Sequence, residues 1–437
     1  MKILSGRSPV KSSNIKVDGD IFYNDTFCDL IRKRLPQFVS YVTQQDVHHP
    51  SLTVEETMEF AYACCSSGLN KRVASVLKND QLPVESMAAR HTTTALLNQL
   101  PALVLELLGL QHCKNTVIGD AMLRGVSGGG RRRATTEEML FGTKLALFMD
   151  DISTGLDSAA TYDIVNMMRS LATSFDTTIA ISLLQPSPEV FALFDDVLLL
   201  NGGHVMYHGP RDGAVNYFGD LGFICPPLRD VADFLLGMGT DEQSQYEVEA
   251  RRSSVVTETP RTAAEFGSIF KLSSIHGDTL DALDELHSAE FLANAHAFTD
   301  VIPEFHQSYW DSTYHVFRRE MLLLVRNSAF IKGRAFMIVH MGFLYSSIFY
   351  QIEPMKIQVM MGITFSATLF ISLGQISQIP VLMAARDVFY KQRRSNFYRT
   401  SSLVVSSALS RVPVAIRRDR RERCVWKLIV LDVRLFQ

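Results

Sequence analysis

Val126-Ser-Gly-Gly-Gly-Arg-Arg-Arg133, followed by Leu145-Ala-Leu-Phe-Met-Asp-Asp151 and Ser153-Thr-Gly-Leu-Asp157, decides how this chain is read. Ser127, Gly128 and Gly129 form a small-residue turn at the start of a helix expected to run through Glu137 and Glu138. A helix N-terminus exposes unpaired backbone N–H groups and carries a partial positive charge, so it can hold a phosphate. Glycines let that backbone come close. Further on, an apolar run ends in two carboxylates, Asp150 and Asp151. A buried strand that delivers acids at its carboxyl end is a way α/β nucleotide enzymes hold Mg²⁺.

Working outward, Phe38-Val-Ser-Tyr-Val42 reads as a short apolar strand ending in Gln44, Gln45 and Asp46. Ser51 to Phe60 combines a Ser/Thr cap, early glutamates and an apolar face, which predicts a helix. Thr178 to Leu184 and Phe194 to Asn201 read as further strands, and His204 to Gly209 as the return of a turn at Gly202-Gly203. Leu184 reads either as core or as a switch-loop position. His204 and His208 have no cysteine or carboxylate spaced with them, so they read as structural. Asn14 to Tyr23 suggests a hairpin about Asp18-Gly19-Asp20, and Thr94 to Leu110 reads as a helix from its leucine spacing.

Lys plus Arg number 43 and Asp plus Glu 46, so nothing at whole-chain level calls for nucleic acid. Six cysteines without CxxC spacing read as free thiols. In the second half, Trp310 to Arg326 is amphipathic and reads as an interfacial helix with Trp310, Tyr314, Phe317 and Met321 on one side. Ala335 to Ile352 and Ile357 to Ala385 carry no formal charge and are expected to span a bilayer, which takes about 20 apolar residues. Arg326, Lys332 and Arg334 at one end, and Arg386 to Arg394 at the other, place both outer ends in the cytoplasm. Thr400 to Ile416 begins a third apolar segment.

The order of the first three stretches, and the wording Ser153-Thr-Gly-Leu-Asp-Ser-Ala-Ala-Thr-Tyr162, resemble the signature motif, Walker B and D-loop of ATP-binding cassette transporters. The resemblance is to the pleiotropic-drug-resistance type of the G subfamily, over Met1 to about Ile416. It implies a P-loop-type α/β nucleotide-binding domain over 1–240, a linker over 241–305, the start of an ABC-2 type transmembrane domain of α-helical segments over 306–416, and an unmatched basic tail over 417–437. It implies ATP and Mg²⁺ as cofactors, with Asp150 and Gln44 toward the metal and Asp151 in the place of the catalytic general base. Ser127, Gly128, Gly129, Gln44 and Asp157 would bind ATP. The implied partners are a second cassette, membrane lipid and a hydrophobic small-molecule substrate. The implied protein is multi-pass in the plasma membrane with its cassette cytoplasmic.

Three departures stand out. No G-x-x-x-x-G-K-[ST] occurs in the sequence, which implies an incomplete cassette, as from a partial gene model or a degraded copy. Asp151 stands where the family carries glutamate, and a displacement of about 1 Å can cost on the order of 10²-fold in rate. Leu184 stands where many cassettes carry histidine. The resulting expectation is an exporter component impaired as written. The other is a non-catalytic membrane fragment that pairs with an intact transporter.

Overall fold

The computed structural model of the chain describes residues 1–7, 19, 21–23, 26–65, 99, 101–106, 108–142, 144–175, 177–247, 259–285, 303–348, 357–376 and 379–410. In chain order the principal elements are β1 (Val39–Val42), α1 (Val54–Cys65), α2 (Gly128–Leu140), β2 (Ala146–Met149), α3 (Ser158–Phe175) and β3 (Thr178–Ile181). Then come β4 (Asp196–Asn201), β5 (His204–Pro210), α4 (Arg211–Asp220), α5 (Val231–Gly237), α6 (Ala263–Lys271) and α7 (Ser274–Glu285). The last are α8 (Tyr309–Arg326), α9 (Ser328–Ile348), α10 (Ile357–Ile376) and α11 (Ile379–Arg394). The chain divides into two units, each assembled from separated stretches.

The first unit comprises residues 1–45, 128–133 and 143–303. Its centre is a parallel sheet in the order β1-β2-β3. Val39 to Val42 pair with Ala146 to Met149, which pair in turn with Thr178 to Ile181. The middle strand alternates, with Leu147 and Met149 buried. Parallel strands all point the same way, so their carboxyl ends open onto one crevice. The same unit contains the antiparallel pair β4–β5, with a register shift between Leu199 and Leu200. Helices α4 to α7 surround an aromatic core of Tyr207, Phe218, Phe234, Tyr246, Phe266 and Phe270. Phe266 and Phe270 come from the stretch expected to be a linker. A Thr262–Glu265 capping box starts their helix.

The second unit comprises residues 46–127, 134–142 and 304–437. Helix α1 begins with a reciprocal cap: Glu56 N–H donates to Thr53 Oγ1 (3.2 Å) and Thr53 N–H to Glu56 Oε2 (2.9 Å). The apolar alternation along α1 then buries Val54, Met58, Phe60, Ala61, Cys64 and Cys65. Helix α8 packs on the unit by one side only. Ser312, Thr313, Val316 and Arg319 are buried, while Trp310 and Tyr314 are exposed. Arg319 finds partners inside, so polarity alone does not choose the buried side.

Two spans were expected, over 335–352 and 357–385. Among the described residues, no helix is long and apolar enough to cross a membrane. Helix α9 carries Lys332 and Arg334 in its first turns, ahead of the first expected span. Within the second expected span, α10 covers Ile357–Ile376 and α11 begins at Ile379. Residues 349–352 and 377–378 lie outside the described residues, as do most of the hairpin expected over 14–23, the stretch 67–93, the first part of the leucine-spaced helix and the tail 417–437.

Candidate functional site

The carboxyl ends of the three parallel strands bring Gln44, Asp150, Asp151 and Ser182 together. Asp150 follows β2 and accepts from Tyr41 Oη (2.7 Å) and Ser182 Oγ (3.0 Å). Burial pushes its carboxyl up, but the hydrogen bonds from Tyr41 and Ser182 outweigh this and hold it below the usual range. Burial and the same Asp150 bond push the Tyr41 phenol up, so Tyr41 remains a donor. Asp151 Oδ2 accepts from Gln44 Nε2 (2.7 Å) and Thr154 Oγ1 (2.6 Å). Its Oδ1 is buried without a hydrogen-bond partner. Asp151 also takes a positive φ of 46°, a region aspartate tolerates better than most residues. Its N–H donates to Ser182 Oγ (2.9 Å).

Arg132 holds this arrangement. It is 2% exposed. Its guanidinium donates to the carbonyls of Thr43 (2.7 Å), Gln44 (2.8 Å), Asp151 (2.5 Å), Asp150 (3.4 Å) and Ile152 (3.4 Å). A planar fork of five donors suits such a ring of carbonyls, where a lysine would not. The run Arg131-Arg-Arg133 gave no sign of which arginine would enter. Arg133 instead pairs with Asp163 (3.2 Å).

Helix α2 starts at Gly128, with Ser127 and Gly128 exposed. A Cβ on Gly128 would meet only Gly155 O at 3.9 Å, and one on Gly129 only Leu156 Cδ2 at 3.5 Å. Both are ordinary contacts, so internal packing does not require glycine at either position. Asp157 caps α3, accepting from the Ala160 N–H (3.0 Å). Leu184 is 67% exposed, which excludes its core reading. His204 and His208 are exposed on β5. Among the described residues, no group of three or more His, Cys, Asp or Glu gathers for a metal.

The donor set fits Mg²⁺ in kind. That ion takes hard oxygens, commonly one or two carboxylates, with the rest from water and phosphate. Asp150, Asp151 and the Gln44 amide supply such oxygens, and the unpartnered Asp151 Oδ1 is an acceptor still to be satisfied.

One further buried acid was not legible. Glu137 is fully buried, neither carboxylate oxygen has a hydrogen-bond partner, and burial pushes its carboxyl up to about 8.

Comparison with known families matches residues 312–417 and 184–249 to ABC-2 type transporter models. These define the class. Among individual relatives, ABC transporter G family member 48 of Oryza sativa subsp. japonica is 31% identical over 99% of this chain and 29% of its own length. Pleiotropic drug resistance protein 2 of Nicotiana plumbaginifolia is 32% identical over 98% of this chain and 29% of its own. ABC transporter G family member 40 of Arabidopsis thaliana is 35% identical over 86% and 27%. The chain belongs to the ABC transporter G family of pleiotropic-drug-resistance type. It spans under a third of the length of these relatives.

Proposed function

We propose that this chain is a component of an ATP-driven exporter of hydrophobic small molecules, contributing one cassette face and the first part of a membrane domain. The observation that carries the reading is the convergence of Gln44, Asp150 and Asp151 at the carboxyl ends of three parallel strands, braced by Arg132. When bound, Mg²⁺ would neutralise phosphate charge there. Asp150 and Gln44 are suited to face the metal. Asp151 Oδ1 is suited to accept a proton from water, while its Oδ2 is fixed by Gln44 and Thr154. Ser127, Gly128 and Gly129 would offer helix N–H groups to the nucleotide of a second cassette. Their glycines, unexplained by packing, are accounted for by that approach. Asp157 would act on the nucleotide only indirectly, by fixing the start of α3.

The second reading is a non-catalytic membrane component that pairs with an intact transporter. It is favoured by the tethering of Asp151 in two side-chain bonds. The test is ATP-dependent accumulation of a hydrophobic dye in inside-out vesicles holding this chain and a G-family relative with a phosphate-binding loop. Export that falls with Ser127→Arg and with Asp151→Asn supports the exporter. Export that falls with Ser127→Arg alone favours the second reading. Export indifferent to both contradicts the two readings together.

A further inference from the structure

Away from the strand ends, the second unit encloses a polar junction centred on Glu138. This side chain is 1% exposed, yet it is densely partnered. Its Oε2 lies 2.5 Å from Lys391 Nζ, itself 8% exposed, and 3.4 Å from His48 Nδ1. Its Oε1 accepts from Gln392 Nε2 (3.0 Å). Each partner continues the network. Lys391 also donates to the Val47 carbonyl (2.6 Å). The His48 Nε2 stands 2.8 Å from Thr135 Oγ1, which donates to Asp46 Oδ1 (2.7 Å). Gln392 Oε1 accepts from Arg319 Nη1 (2.7 Å) and Tyr398 Oη (3.1 Å). The Arg319 guanidinium lies over the Phe60 ring, 4.2 Å from its centroid.

We infer that Glu138 is a positioning residue: one buried carboxylate pins the loop 46–49 to the segment 387–398, so that the two move as one body. The loop begins two residues after Gln44. The segment lies inside the ABC-2 type match over 312–417. The physical ground is the cost of an uncompensated buried charge. Shifting 387–398 alone would leave Glu138 without its cation in a dry interior, and shifting 46–49 alone would take the Val47 carbonyl from Lys391 and His48 from Glu138; a buried charge stripped of partners is strongly unfavourable. The inference rests on the exporter reading only for what the pin would transmit; the pin itself needs no nucleotide.

The test is hydrogen–deuterium exchange on the full chain in detergent, without nucleotide. Glu138→Gln and Lys391→Met should each speed exchange about tenfold or more at both 46–49 and 387–398. The double variant should add little, because neither charge is then left alone. Lys391→Arg, which keeps the cation, should leave both segments protected. Glu137→Gln, the adjacent unpartnered acid, should leave both unchanged. Should the single variants not fold, recovery of folded protein in the double variant supports the pin, and its failure to recover overturns it. Exchange that rises only within 134–140, effects that add in the double variant, or no rescue by Lys391→Arg would each overturn the inference. Loss of the exporter reading would leave these outcomes untouched, so the two failures are distinguishable.

Discussion

Helix α2 feeds two regions that solve the problem of a buried cation in opposite ways. In the first unit, Arg132 donates to backbone carbonyls following β1 and β2. In the second, Lys391 and Arg319 are satisfied mainly by side chains, Glu138 and Gln392. The difference teaches what each cation fixes. Bonds to carbonyls fix backbone, and so fix where strand-end side chains emerge. Bonds to side chains fix one element against another and can be exchanged or cut singly.

The largest expected effect tests the first half of that contrast. Arg132→Met leaves a ring of carbonyls without donors, so chemical denaturation should show a loss of about 3–5 kcal/mol. The Gln44–Asp151 contact should disappear with it. A loss under about 1 kcal/mol would mean water replaces the guanidinium, and the contrast would fail. Next is Arg319→Met, expected to cost about 2–4 kcal/mol, since it removes the bond to Gln392 and the ring contact with Phe60 but leaves no ring of carbonyls behind. A cost above that of Arg132→Met would invert the ordering.

The two adjacent acids sharpen the comparison further, because Glu138 has a cation and Glu137 has no hydrogen-bond partner. Glu137 has its folded-state carboxyl raised from 4.5 to about 8 by burial. A group raised on folding contributes full stability below its unfolded value and loses it as pH rises through the folded value. Stability of the parent chain should therefore fall between pH 4.5 and about 8 at this residue. Glu137→Gln should remove that slope, stabilising by about 1–3 kcal/mol near pH 8 and by nothing below pH 4.5. A pH-independent difference between the two proteins would contradict it. The smallest effect is at the surface: Thr53→Ala removes half of the reciprocal cap on α1 and should cost about 1 kcal/mol, read from thermal unfolding.

Much of the strand-end region was legible in sequence, because short apolar runs ending in Gln44 and in Asp150-Asp151 leave few ways to arrange parallel strands. The choice of Arg132 was not, since three successive arginines differ only in the helix face they occupy. The helix-capping bond of Asp157 was a role that its reading toward ATP did not include. The junction at Glu138 was invisible for another reason. Gln392 and Glu138 are 254 residues apart, and no local pattern encodes a contact at that range. The burial of Arg319 on α8 was not legible either, since an arginine goes inside only where distant residues supply its partners.

The central claim is that the exposed start of α2 grips a nucleotide. Its most direct measurement is titration of magnesium trinitrophenyl-ATP onto membranes holding this chain and a relative with a phosphate-binding loop, comparing the parent with Ser127→Arg. Binding weakened by about tenfold or more is predicted, as expected for blocking helix N–H groups with a long cation. Equal binding by the two proteins would contradict it.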